Sequence, residues 1–113
     1  MMKMLIKLDE ERVRRDGKYK LADMWRVIDA KFDKYDCIKE RQADGAVLYS
    51  GNPNRDYYTC INLAYLTLKG QRWFAEYCNQ WIWYDNDDDE ALPFQNLNVL
   101  ARERTDNPLF AHA

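Results

Sequence analysis

Histidine and serine are almost missing from this chain: His112 and Ser50 are the only examples in 113 residues. Nucleophilic hydrolysis needs a hydroxyl or thiol held against a base, most often histidine. His112 stands next to the last residue, in a stretch with little to hold it, and reads as a solvated tail residue. A Ser–His or Cys–His centre is therefore set aside. Glycine is scarce as well, and Gly17, Gly45, Gly51 and Gly70 each stand alone. Neither G-x-G-x-x-G nor G-x-x-x-x-G-K-[ST] can be assembled, so no glycine loop is present to cradle a phosphate.

The three cysteines, Cys37, Cys60 and Cys78, are widely spaced and form no C-x-x-C pair, which argues against a zinc site and against thioredoxin-type chemistry. They read as reduced, half-buried thiols of a cytoplasmic protein, with a single bridge still compatible with the sequence. Long apolar runs are absent, and nothing approaches the roughly 20 residues that span a bilayer. Met4-Leu5-Ile6 is too short for a secretory h-region and acids follow at once, so the expectation is an intracellular protein with no membrane partner.

What the chain does have is a normal globular core. Apolar residues make up 47% and aromatics 14%, enough for one domain and, in any surplus, for contact surface. At 113 residues a single core buries about two-thirds of the unfolded surface without disulfides or metals. The net charge of −2 is unevenly spread, with 12 basic and 10 acidic residues up to position 45 and 5 basic against 9 acidic beyond it. Neither half has the excess of a dedicated nucleic-acid binder.

Residues 3–8 suggest a first strand, and residues 9–20 a charged connection with a helical turn at 9–15. Leu21, Met24, Trp25, Ile28, Phe32 and Tyr35 recur at three- and four-residue spacing, which predicts an amphipathic helix over 21–35. Asp44-Gly45 between two short runs predicts a hairpin over 37–50. Residues 57–68 are divided. Tyr57, Ile61, Tyr65 and Leu68 make a helical stripe that Asp56 could cap, while Tyr58-Thr59-Cys60-Ile61 favours a strand; helix is the reading taken. A short helix over 71–80 and a strand over 81–84 follow. Residues 85–96 read as an acidic loop, 98–104 as a helical turn or two, and 105–113 as an extended arm beyond a single domain of residues 1–104. This order predicts an α+β two-layer sandwich, a mostly antiparallel sheet with helices on one face, for which a ferredoxin-like topology is one candidate.

The most informative junction is where Trp81-Ile82-Trp83-Tyr84 runs into Asp85-Asn86-Asp87-Asp88-Asp89-Glu90. Large apolar surfaces give way to five acids in six positions, so the chain must leave the core abruptly. As an EF-hand, Asp85, Asp87 and Asp89 would fit, but Glu90 replaces the turn glycine and Asn96 the final bidentate glutamate. An apolar strand ending in Asp85-x-Asp87 resembles the first motif of haloacid-dehalogenase-type phosphatases over about seven residues. That resemblance implies a further lysine and downstream acids in a larger α/β domain, yet the 23 residues after Glu90 contain no lysine. Two-metal catalysis needs carboxylates that converge, whereas consecutive loop acids diverge into water. No metal or other cofactor is expected.

The leading expectation is a small non-enzymatic interaction or accessory module. It would meet a protein partner with a basic surface through Trp83, Tyr84, Asp85, Asp87, Asp88, Asp89 and Glu90. The alternatives are a metal-dependent hydrolase using the acidic cluster and a weak nucleic-acid binder. The second would use Arg12, Arg14, Arg15, Lys18 and Lys20, with Tyr19 as a stacking surface. Self-association through surplus aromatic surface is compatible with the sequence.

Overall fold

Strand β1 (Met2–Leu8) is the centre of the molecule. Met2, Met4, Ile6 and Leu8 are buried while Lys3, Leu5 and Lys7 are only half-buried, the period-2 alternation of a strand covered on one side. The computed structural model describes residues 1–87 and 89–111. Asp88, one of the acids singled out above, and His112 lie outside the described residues.

Helix α1 (Glu10–Asp16) begins at Asp9, whose carboxylate accepts from the Arg12 N–H at 3.2 Å. Helix α2 (Leu21–Asp33) buries Met24, Trp25, Ile28 and Phe32, the stripe read from the spacing. Strands β2 (Ile38–Arg41) and β3 (Val47–Ser50) form the expected hairpin. Gly45 turns it at φ 90°, and the Gln42 N–H donates to the Ala46 carbonyl at 2.7 Å. Helix α3 (Tyr57–Leu68) resolves the divided segment. The Asp56 carboxylate caps it through the Thr59 N–H at 3.1 Å, and burial of Cys60, Ile61, Ala64 and Leu68 on one face outweighs local strand propensity. Helix α4 (Arg72–Tyr77) runs straight into β4 (Cys78–Asp85), followed by β5 (Gln95–Asn98) and α5 (Val99–Asp106).

The five strands form one antiparallel sheet in the order β2-β3-β1-β4-β5. The first four have the strand order and the βαββαβ succession of a ferredoxin-like sheet, with α1 and α2 in the first crossover and α3 and α4 in the second; β5 adds a strand beside β4. Helix α3 packs on β1 and α5 on β4. Phe32 of α2 stacks on Tyr49 of β3 with ring centroids 3.9 Å apart. The chain is thus an α+β single domain with its core between one sheet face and the helices.

Three boundaries differ from the sequence reading. The helix expected over 71–80 ends at Tyr77, and residues 78–80 already belong to β4, which pairs with β1 there. The acidic loop is shorter than residues 85–96, because Asp85 ends β4 and residues 95–98 pair with it as β5. Gln95, Asn96, Leu97 and Asn98 are all exposed, so backbone pairing holds this strand without any apolar alternation to announce it. Residues 105–111 are not an extended arm. Helix α5 continues to Asp106, the Asn107 amide donates to the Lys69 carbonyl at 2.8 Å, and Phe110 is fully buried. Among the described residues no helix is long and apolar enough to cross a membrane.

Candidate functional site

Strand alternation divides the aromatic run between the two faces of the sheet. Trp81 and Trp83 face the helices, and Trp83 lies with its ring 5.5 Å from that of Tyr65. Ile82 and Tyr84 face the other way, towards the side that no helix covers among the described residues. On that open face Leu48 stands opposite Leu5 and Leu5 opposite Ile82, an apolar strip across three strands. A cavity of about 620 Å³ lies over its Leu5 and Leu48 members, lined also by Lys3, Gln80, Tyr84 and Phe94.

The rim of this trough is polar. Lys3 stands opposite Tyr84, with its ammonium 4.8 Å from the Phe94 ring centroid, a cation–π contact. Lys7 pairs with Asp44 of the β2–β3 turn at 3.7 Å. Glu40 sits opposite Leu48 and so shares its face.

The β4–β5 loop, residues 86–94, closes one end and delivers Phe94 to the cavity. Its buried member among the described residues is Asn86, the one residue of the acidic run that is not an acid. Asn86 accepts from the Met1 ammonium at 2.9 Å, and its N–H donates to the Met1 carbonyl at 3.3 Å. Asp87 takes φ 55°, a left-handed conformation that aspartate tolerates better than most residues, and its N–H donates to Asp85 Oδ1 at 2.8 Å. Asp89 Oδ1 accepts from the Ala91 N–H at 2.9 Å. Two carboxylates thus shape the loop they belong to. Asp87, Asp89 and Glu90 are exposed and, among the described residues, enter no ion pair.

The residues singled out from sequence therefore fall into two sets. Tyr84, Asp87, Asp89 and Glu90 belong to the open face or to the loop at its end. Trp83 packs on the helix side, and Asp85 serves the loop backbone. Lys3, Leu5, Leu48 and Phe94 were not foreseen as site residues. The available signal was Leu5 between Lys3 and Lys7, an apolar residue on the polar parity of β1.

The other two chemistries gain no geometry. Among the described residues no group of three or more histidine, cysteine, aspartate or glutamate side chains could hold a metal ion. The basic segment is largely answered by acids. Arg14 pairs with Glu10 at 3.5 Å, Lys18 with Glu76 at 3.4 Å and Arg12 with Asp16 at 4.0 Å, while Arg12 also covers the Tyr77 ring. Comparison with protein-family models, with curated proteins and with solved structures finds no match.

Proposed function

We propose that this protein is an interaction module of the cytoplasm that holds a basic, partly apolar segment of another protein across the open face of its sheet. The observation that carries the reading is the half-buried apolar strip Leu48–Leu5–Ile82, of which Leu5 and Leu48 line a cavity of about 620 Å³ bordered by acids. Apolar surface of this kind, rimmed by polar groups, is characteristic of binding sites. The charge around it favours a basic partner: Glu40, Asp44, Asp87, Asp89 and Glu90 outnumber Lys3, Lys7 and the Met1 ammonium. Lys7 is already paired and Lys3 sits over Phe94. The acids would steer approach and the strip would supply contact area. Three free thiols suit a reducing compartment.

The test is a backbone amide NMR titration with an extended synthetic peptide alternating lysine and leucine, at low and high salt. Shifts should concentrate on Leu5, Leu48, Ile82, Tyr84 and residues 86–94. The triple variant Asp87→Asn, Asp89→Asn, Glu90→Gln should bind more weakly and lose most of the salt dependence. Shifts confined to the helix layer, or an unchanged affinity in the triple variant, would refute the reading.

A further inference from the structure

Cys37 and Cys60 come together although neither spacing nor motif links them. Cys37 lies in the turn between α2 and β2, Cys60 in the second turn of α3, and their sulfurs are 3.6 Å apart in a buried setting. From this geometry we infer that the two cysteines form a dithiol site oxidised by hydrogen peroxide, with Cys37 as the attacking thiolate and Cys60 as the resolving thiol.

Three observations support the assignment of roles. Cys37 is the more accessible, at 9% of its surface against 1% for Cys60. The Cys60 thiol can donate to the Cys37 sulfur, and with a backbone hydrogen bond from Asn52 this holds Cys37 below the usual thiol range, despite its burial and the nearby Asp33 and Asp36. The same hydrogen bond, with burial second, pushes Cys60 up, and the Cys60 thiol has a second acceptor in the Lys31 carbonyl at 3.4 Å. A cavity of about 280 Å³, lined in part by Lys31, Lys34, Tyr35 and Cys60, opens on the Cys60 side of the pair, with the Cys37 sulfur 3.6 Å beyond that of Cys60. It has room for a molecule the size of peroxide, whereas the burial of both sulfurs disfavours a bulky disulfide reagent.

In the first step the Cys37 thiolate attacks one peroxide oxygen. An S–O bond forms, the O–O bond breaks, and hydroxide leaves and takes up a proton as water. Cys37 is now a sulfenic acid. In the second step the Cys60 sulfur attacks the Cys37 sulfur, the S–O bond breaks, and the departing hydroxide leaves as water with the Cys60 proton. Two thiols and one peroxide give one disulfide and two waters. The bridge ties the turn that leads into edge strand β2 to helix α3. Cys78 stays out of this chemistry, because burial pushes its thiol up to about 12.

The experiment treats the folded full-length protein with hydrogen peroxide, removes the excess, alkylates the remaining thiols and maps peptides by mass spectrometry. The expected product has lost two hydrogens, carries one Cys37–Cys60 cross-link and is alkylated at Cys78 only. In Cys60→Ser the resolving thiol is gone, and dimedone should trap a sulfenic acid at Cys37. Three alkylated thiols after peroxide, a bridge that includes Cys78, or a Cys37–Cys60 bridge that forms only in urea would each overturn the inference. The mapping on the unsubstituted protein decides the matter even if Cys60→Ser fails to fold.

Discussion

Phe110 lies over Trp81 with ring centroids 6.0 Å apart and planes 21° from parallel, and Phe74 meets both rings close to edge-on. The last turn of the described chain is therefore a wall of the core. Phe110→Ala should cost about 3–5 kcal/mol, the usual range for a buried phenylalanine, read as a lower urea midpoint with an unchanged slope. A loss below about 1 kcal/mol would mean that the cluster closes without it.

Trp25 is buried on α2 and ties it to α1. Its indole N–H donates to Glu10 Oε2 at 3.1 Å, and the Arg41 guanidinium lies 5.7 Å from its ring centroid. Trp25→Ala should also cost about 3–5 kcal/mol. Trp25→Phe should recover most of that and leave only the Glu10 hydrogen bond missing, which equilibrium unfolding of both variants would show.

Alkaline pH should destabilise the fold through its tyrosines. The Tyr77 phenol is pushed up to about 12, first by burial and then by its 2.9 Å hydrogen bond to Asp16. Tyr49 is raised in the same sense by burial and by its hydrogen bond to Asp29. In the unfolded chain these phenols ionise near pH 10. Their contribution is complete below that value and falls as pH rises, because the unfolded chain releases protons that the folded one keeps. For Tyr77 the loss runs from about pH 10 to about 12. Tyr77→Phe should make the decline in urea midpoint shallower across that window, and an identical decline would assign it to other groups.

Gly51 is needed for space. A Cβ placed there would come within 2.6 Å of both Cβ and Cγ of Tyr57, and Tyr57 Cβ is fixed to the first residue of α3. Gly51→Ala must therefore shift the helix start, at a cost of roughly 1–3 kcal/mol. At Gly70 the nearest atom would be the Thr67 carbonyl oxygen at 3.6 Å, an ordinary contact. Gly70→Ala should be neutral within about 0.5 kcal/mol, so the two thermal shifts form an internal comparison.

Legibility in the sequence followed how local each determinant was. The stripe Met24, Trp25, Ile28 and Phe32 announces α2 because one face of one helix meets one core. Asp44-Gly45 announces its hairpin because turn chemistry is confined to neighbouring residues. Gln95, Asn96, Leu97 and Asn98 gave no sign of a strand, since all four are exposed and only the backbone of β4 holds them. The fate of Phe110 depended on Trp81 and Phe74, which no local pattern around Asn107-Pro108 could disclose. For the candidate site, the acidic loop was plain, but Trp83 and Tyr84 were grouped as neighbours although strand alternation sends them to opposite faces. The open strip needed the register of three strands before Leu5, Leu48 and Ile82 became one surface.

The register of β1 also sets a timetable. Lys3 is paired with Ser50 on one side and with Tyr84 on the other, and Met2 with Asp85. During synthesis this strand emerges before either neighbour. At roughly 5–20 residues per second, Met2, Met4, Ile6 and Leu8 wait on the order of 4–16 s for β4 to be made. Pairings so distant along the chain also slow the search itself. The nascent chain therefore spends its vulnerable interval with the β4 edge of its central strand unpaired, and a product cut short before Asp85 would leave part of that edge open for as long as it persists.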